Sequence, residues 1–471
     1  MTASLSLTGR QAATLHAHLF PGDGREAAAI ALCGRRAGSR HRLLVHTLIL
    51  IPHDACEPRT ATTVAWPTDL IVPRLMEADR RGWSVVKFHS HPGGYNAFSD
   101  QDDASDSLLF PAIAGWIDDD VPHASVVMLP DGALFGRLVD ADGLFEPLET
   151  IAVVGERLKI WRHDEVTGAG CLPASAPFAK RHAQAFGERT TRALGHLSAA
   201  VIGCSGTGSI VIEQLVRLGV RRLVIVDPDV VKDHNLNRIL NTTAADAATR
   251  RLKVDVLHAR IVEVGLGTEV LPLARNLFDA EAVRAVADCD LVFGCVDSAE
   301  GRFLINRIAA FYLMPYFDVG VALDADDSGT ITQVCGYLHY VQPDLSSLVS
   351  RGAVSMEDVR AEGERRRNPE HYAVLRRAGY INNVDEDRPA VISVNTVFSG
   401  LIVNEMLARL HDFRDEPGDA YATVGFSLSQ MMLYPEPETG RPCPIFSRHA
   451  GRGDTALLLD LPELSSRTAE C

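Results

Sequence analysis

His89 and His91 stand two residues apart behind the run Ser84-Val85-Val86-Lys87-Phe88, which reads as a strand. Alternate residues of a strand project to one side, so both imidazoles can meet a single ion. Pro92, Gly93 and Gly94 then end the strand and turn the chain. Ser99 predicts the cap of a new helix carrying Asp102 in its first turn, where its carboxylate can return to the same ion. Two histidines and one carboxylate leave a fourth zinc position for water, the arrangement of a catalytic site. Zinc lowers the pKa of that water to about 7. A hydrolase also needs a general base, and Glu26, opening the apolar run Ala27-Ala28-Ala29-Ile30-Ala31-Leu32, is expected at a strand end facing the cleft. Asp23 is the nearby alternative. Ser99 is also placed to donate a hydrogen bond to a tetrahedral oxyanion. A lone His-x-His is more often a pair of ordinary strand residues. The fixed-distance Ser-x-x-Asp and the upstream Glu26 turn the balance toward Zn²⁺.

A second centre begins at Ala199-Ala200-Val201-Ile202-Gly203-Cys204-Ser205-Gly206-Thr207-Gly208-Ser209, a strand, a glycine turn and the start of a helix. Such glycines let backbone N–H groups approach phosphates at a helix N-terminus. The next strand, Arg222-Leu223-Val224-Ile225-Val226, ends at Asp227, an acid spaced to suit a ribose hydroxyl. The glycine pattern alone is weak, because Ser205 stands at the middle glycine of the dinucleotide fingerprint and a plain βαβ turn explains it equally well. The residues that follow favour a triphosphate: Asn235, Arg238 and Lys253, then Asp297 at the end of a further buried strand. Arg238 and Lys253 would neutralise phosphate oxygens of ATP. Asp297 would hold Mg²⁺, which favours one or two carboxylates plus phosphates.

These residues need a scaffold of some size, and 471 residues suffice for two or three domains. The composition, 46% hydrophobic and 23% charged, is that of a globular chain. A net charge of −15 argues against a nucleic-acid partner. The one basic run, Arg365-Arg366-Arg367, follows Glu362 and Glu364 and reads as a solvated helix face. Nine scattered cysteines without Cys-x-x-Cys, and no export signal, suggest a reduced cytoplasmic protein. The longest apolar stretch, residues 390–410, contains Asn395, Asn404 and Glu405 and is not expected to span a membrane. Residues 161–185 carry Gly168, Gly170, Pro173 and Pro177 and read as linker.

The set Glu26, His89, His91, Ser99 and Asp102 resembles the JAMM (JAB/MPN) metalloprotease motif without departure. That resemblance implies zinc-dependent cleavage of peptide or isopeptide bonds after the C-terminus of ubiquitin-like proteins. Residues 195–310 resemble the ThiF-type adenylating fold of ubiquitin-activating enzymes. The matching residues are Gly203, Gly206, Gly208, the Asp227-x-Asp229 pair, Asn235-Leu236-Asn237-Arg238, Lys253, Cys295-Val296-Asp297-Ser298, Arg302 and Asn306. This resemblance implies that ATP and a modifier's C-terminal carboxylate give an acyl-adenylate and pyrophosphate, with Arg238 and Lys253 as catalytic cations. It also implies a homodimer, and Arg181 is a candidate to reach into the partner subunit's site.

Departures concern sulfur. Ser347 and Ser350 stand where many relatives have cysteines of a structural zinc, and Ser447 follows Cys443 where another is expected, so no Cys₄ zinc is expected. For a thioester, Cys335 reads as a buried strand residue, Cys443 as a loop cysteine more often inert than an exposed, reactive thiol, and Cys471 remains, so stopping at the adenylate, direct hand-over to a partner thiol or use of a serine stays open. The charged insertion 346–387 contains no cysteine.

The fold class is thus α/β: a JAMM-like metalloprotease domain at 1–155, a linker and helical entry at 156–195, a Rossmann-like ThiF-type adenylation domain at 196–435, and a tail at 436–471. The expected function is a bifunctional enzyme of a bacterial ubiquitin-like pathway, with a modifier and a carrier enzyme as partners. Sulfur-carrier activation is the alternative among enzymes, and a modifier-binding scaffold the alternative outside them.

Overall fold

The computed structural model of the protein describes residues 3–38, 40–117, 121–168, 177–325, 331–377 and 391–464. Contacts divide the chain into two units. The first gathers Met1–Ala174, Phe311–Leu313 and His449–Asp460, and the second holds the rest. Residues 449–460, expected in the tail, therefore count with the first unit.

The first unit is built on nine strands: β1 (Ala3–Thr8), β2 (Ala28–Ala37), β3 (His41–Leu50), β4 (Ser84–Ser90), β5 (His123–Met128), β6 (Leu134–Val139), β7 (Phe145–Pro147), β8 (Thr150–Val154) and β9 (Leu158–Arg162). Their order is β7-β6-β5-β4-β2-β3-β1-β8-β9. Strand β2 shows no polar alternation because both its faces are buried. Ala29, Ala31 and Cys33 join Val86, Phe88 and the Leu15 and Leu19 side chains of helix Gly9–Leu19. Ala28, Ile30 and Leu32 join Val85 and helices Val72–Arg81 and Asp100–Trp116 through Leu75, Ala78, Phe110 and Ile113. Strand β9 pairs with β8, so the segment read as linker begins inside the first unit's sheet. Helix Lys180–Leu194, broken at Gly187 (φ 78°), carries Arg181. Gly170 and Pro173 lie outside the described residues.

Period-two alternation in β4 sends Val86 and Phe88 to the first face and leaves Lys87 and His89 facing helix Asp100–Trp116. That helix offers Asp102 and Asp106 one turn apart. Two parallel rungs result: His89 meets Asp102 at 2.9 Å, and Lys87 closes a salt bridge with the fully buried Asp106. Arg137 of β6 completes the lower rung with Nη2 2.7 Å from Asp106, while its guanidinium lies 3.8 Å from the Phe98 ring.

The second unit has eight strands: β10 (Ser198–Ile202), β11 (Arg222–Val226), β12 (Glu269–Leu273), β13 (Leu291–Gly294), β14 (Tyr316–Ala325), β15 (Ile331–Val341), β16 (Thr423–Ser427) and β17 (Met432–Glu436). The order is β12-β11-β10-β13-β14-β15-β16-β17, parallel through β14 and antiparallel beyond. The order reverses between β10 and β13, the switch point where doubly wound sheets bind ligands. The insertion forms helices Met356–Arg367 and Pro369–Arg377. Its basic run is not simply solvated, because Arg366 pairs with Glu300 at 2.9 Å and Glu463 at 2.8 Å and stacks on Phe278. The apolar stretch is helix Ile392–Leu410, and no described helix is long and apolar enough to cross a membrane.

Breaking a buried ion pair from one side costs about 3–5 kcal/mol, because the orphaned charge stays buried. Asp106→Ala is therefore expected to lower the unfolding free energy of the first unit, read from urea titrations, by an amount of that order, and the double change Lys87→Met/Asp106→Leu to recover only the part due to Lys87, since Arg137 also loses Asp106.

Candidate active sites

His89, His91 and Asp102 converge. The two Nε2 atoms lie 3.1 Å apart, and Asp102 reaches them at 2.9 and 3.4 Å. The three ligand atoms fall within 4.8 Å of one another. The Nδ1 of His91 is 2.7 Å from the Tyr95 carbonyl, which fixes its tautomer and turns Nε2 inward as an acceptor. Burial lowers the His89 pKa and so favours the neutral, ligating imidazole. Burial alone would lower His91 too, but its bonds to Asp102 and Tyr95 prevail and raise it. Burial works to raise Asp102, yet hydrogen bonds to both histidines hold it far below the ordinary carboxylate range. Two imidazole nitrogens and a carboxylate oxygen gathered at one point form a donor set that fits Zn²⁺.

Ser99 caps the ligand helix. Its hydroxyl accepts from the Asp102 N–H at 3.2 Å and donates to Asp102 Oδ2 at 2.7 Å, and its own N–H reaches that oxygen at 2.8 Å. It therefore aims the ligand, and its single hydroxyl proton is directed at Asp102 and not at an oxyanion. Glu26 is buried just before β2, and burial pushes its carboxyl up to about 7. The alternative base, Asp23, is partly exposed and paired with Arg59. Lys87, Asp106 and Arg137 were not singled out in the sequence. The lone lysine inside an apolar strand was the signal.

In the second unit the glycine turn sits at the carboxyl end of β10. Gly203 has φ +90°, and a Cβ there would meet the Cys295 carbonyl at 2.5 Å. A Cβ on Gly208 would fall 1.8 Å from the Gly203 carbonyl, and one on Gly206 would lie 2.2 Å from Asn395 Nδ2 and 3.2 Å from Arg238 Cδ. Backbone contacts thus demand glycine at 203 and 208, while a Cβ at 206 would require the Asn395 and Arg238 side chains to move. Helix Gly206–Arg217 starts without a side-chain cap bond from Ser205, which suits an anion at its N-terminus. Asp227 accepts from the Cys204 N–H at 2.8 Å and the Asp229 N–H at 2.9 Å. Lys253, buried at the first turn of its helix, lies 3.4 Å from Asp227 and 2.8 Å from Asp229. Arg238 donates to the His234 carbonyl at 2.6 Å. Asn235 is buried and its Oδ1 accepts from the Lys232 N–H at 3.1 Å. Asp297 is exposed just beyond β13. The fold thus brings together the glycine turn, Asp227, Asp229 and Lys253, with Arg238 beside Gly206, while Asn235 bonds within its own turn and Asp297 follows β13. Asn395 and Ser399 were missed as contributors: one turn apart on helix Ile392–Leu410, they meet the glycine turn, Ser399 Oγ donating to the Thr207 carbonyl at 3.0 Å.

Other residues of the family stretches serve structure. Arg302 grips the buried Asp318, with Nε 3.0 Å from Oδ1, and Asn306 accepts from the Leu348 N–H at 3.2 Å. Ser347 and Ser350 bond each other reciprocally, at 2.8 and 3.2 Å. Of the two readings of Cys443, the exposed reactive thiol is overturned. The residue is packed at 1% exposure with Ala310 and Phe446. Cys335 is only half-buried in β15, and Cys471 lies outside the described residues.

The family model described as the ThiF family matches residues 179–442, more than half of the chain. The chain belongs to the ThiF family. Residues 10–132 match the model for prokaryotic homologues of the JAB domain, so a JAB domain precedes the ThiF region. Similar curated proteins include "Adenylyltransferase and sulfurtransferase UBA4" of Meyerozyma guilliermondii, 32% identical over 28% of this chain and 30% of that protein. Another is "Ubiquitin-like modifier-activating enzyme 5" of Culex quinquefasciatus, 28% identical over 31% of this chain and 37% of that protein. The chain thus spans about a third of the length of these relatives. Among solved structures, E. coli MccB with MccA-N7isoASN is 17% identical with a TM-score of 0.45, covering 58% of this chain and 75% of that one.

Two outcomes follow from this geometry. The Glu26 carboxyl holds its proton more tightly folded (about 7) than unfolded (4.5), so in metal-free protein it lowers stability as pH rises through that interval. Glu26→Gln is expected to remove that part of the slope in urea titrations across pH 4–8. Gly208→Ala is expected to destabilise the second unit measurably in thermal unfolding. Gly93→Ala, with open space around it, should stay within about 0.5 kcal/mol.

Proposed function

We propose that the protein is a bifunctional enzyme acting on a ubiquitin-like modifier. Its ThiF region adenylates the modifier's C-terminal glycine with ATP, and its JAB domain is a zinc-dependent peptidase or isopeptidase that trims or removes the same modifier. The observation that carries the reading is the coexistence in one chain of a convergent His89–His91–Asp102 set and a glycine turn bordered by Asp227, Arg238 and Lys253.

In the first site His89, His91 and Asp102 would hold Zn²⁺, which when bound supplies a Lewis acid and an acidified water. Glu26 takes the proton of the attacking water and returns it to the leaving amine, a role served by a carboxyl near 7. Ser99 holds Asp102 in place, and donation to the oxyanion requires its hydroxyl proton to turn away from Asp102, whose Oδ2 keeps the Ser99 N–H. In the second site the N-terminus of helix Gly206–Arg217, Arg238 and Lys253 bind the phosphates of ATP. Asp227 and Asp229 anchor Lys253 and border the ribose side. Asp297 would hold Mg²⁺. The carboxylate of the modifier attacks the α-phosphorus, forming the acyl-adenylate and releasing pyrophosphate.

The buried Cys443 supports direct hand-over of the adenylate to a partner thiol instead of a thioester at that residue. A carrier enzyme, a bacterial conjugation setting, a cytoplasmic location and a homodimer formed through the ThiF region belong to this reading. The sulfurtransferase in the printed name of the fungal relative favours a second reading, activation of a sulfur carrier.

With a modifier ending in glycine, the purified protein is expected to catalyse ATP–pyrophosphate exchange, and Asp297→Ala to abolish it. Exchange that survives in Asp297→Ala removes the magnesium role, and no exchange with any such modifier removes the adenylation reading. Cleavage should require zinc and fail in Glu26→Gln while modifier binding persists.

A further inference from the structure

Glu26 is not held by the sheet that carries the metal ligands. Strand β2 begins at Ala28, and the last register contact before it belongs to Ala27, whose N–H donates to Ser90 Oγ at 3.0 Å and whose carbonyl accepts from the Ser90 N–H at 3.1 Å. Both backbone groups of Glu26 go instead to a short hairpin, residues 57–65, inserted between β3 and helix Val72–Arg81. The hairpin closes on itself through Glu57 N–H to Ala65 O at 2.9 Å, Ala65 N–H to Pro58 O at 2.9 Å and Thr60 N–H to Thr63 O at 2.8 Å. The Glu26 N–H donates to the Thr60 carbonyl at 2.7 Å, and its carbonyl accepts from Arg59 Nε at 2.9 Å. The other two guanidinium nitrogens of Arg59 grip Asp23, Nη2 at 3.2 Å and Nη1 closer still. One planar fork therefore holds both ends of the 23–26 turn, a task that needs all three nitrogens of arginine. At its tip the hairpin also reaches the ligand helix, Thr63 Oγ donating to Gln101 Oε1 at 3.1 Å, one residue before Asp102.

We infer that the 57–65 hairpin is the element that sets the general base against the metal ligands, and that Arg59 is its positioning residue. The inference rests on the peptidase reading above. An exposed Arg–Asp pair by itself is worth little. The Arg59 side chain, however, is only 9% exposed, and its Nε bond fixes the backbone of the base itself. Misplacement of a catalytic group by about 1 Å costs on the order of 10²-fold in rate.

The test uses the full chain loaded with Co²⁺ and compares wild type with Glu26→Gln, Arg59→Ala, Arg59→Lys and Asp23→Asn. Three quantities are read: the pH midpoint of the cobalt visible spectrum, kcat and KM on a peptide ending in Gly-Gly-aminocoumarin, and the melting temperature. Glu26→Gln is expected to shift the cobalt midpoint. Arg59→Ala should shift it in the same direction and lower kcat by about 10²-fold, with KM and cobalt content unchanged. Arg59→Lys and Asp23→Asn should fall between, and added ethylguanidinium should restore part of the rate in Arg59→Ala alone. An Arg59→Ala protein that matches wild type in midpoint and kcat overturns the inference. If Glu26→Gln itself changes neither quantity, the base assignment fails first and the positioning role falls with it. If Arg59→Ala melts early, Asp23→Asn decides, since it loosens the fork and leaves the Nε bond in place; a wild-type midpoint and kcat there also count against the inference.

Discussion

The first unit depends on a buried ion pair set one rung below the metal ligands. Lys87 and His89 share a face of β4, and Asp106 and Asp102 share a face of the facing helix. The lower rung, reinforced by Arg137, fixes how far that helix sits from the strand and in which register. The upper rung then needs little further adjustment to bring a carboxylate to two imidazoles. A salt bridge of this kind is a poor source of net stability. Its value here lies in geometry, because Lys87 is held by Asp106 and Arg137 by Asp103 and Asp106 of the same helix, and any slip of that helix would strand buried charge. The Ser99 cap works at the same end, tying the helix start to the carboxylate that the ion would need.

The second unit solves a similar positioning problem with crowding. A side chain at Gly203 or Gly208 would run into a backbone carbonyl, and one at Gly206 into the Asn395 amide, so the turn packs this closely only with glycine. Asp227 spends its two oxygens on the N–H groups of Cys204 and Asp229 and draws Lys253 to the same spot. Charge and shape are thereby set before any nucleotide arrives, which is the condition under which electrostatic stabilisation is most effective. Polar residues in an otherwise apolar helix take part: Asn395 and Ser399 are buried against the turn, which is why that helix tolerates them.

Much of this was legible because local rules carry it. The His-x-His pair obeys strand alternation, the Ser-x-x-Asp obeys helix capping, and the apolar runs at 27–33 and 199–202 announce strands buried on both faces. What misled was context. Cys443, flanked by two prolines, reads as a loop cysteine that could be exposed but is buried with Phe446. Arg366 reads as a solvated charge but is shared between Glu300 and Glu463. Residues 158–162 read as linker but complete a sheet edge by pairing with β8. In each case the deciding partner is distant in the chain, and no local pattern encodes it.

By itself the sequence determined which side chains bear the chemistry and which element each rides on, since alternation, capping and turn chemistry act within a few residues. Only the tertiary structure decided that Lys87 and Arg137 would share Asp106, that Arg59 would hold the Glu26 carbonyl together with the Asp23 carboxylate, and that Asn395 would press on Gly206. Those contacts join residues from 19 to 189 positions apart, where the need to pair buried charge and fill space, and not local preference, selects the partner.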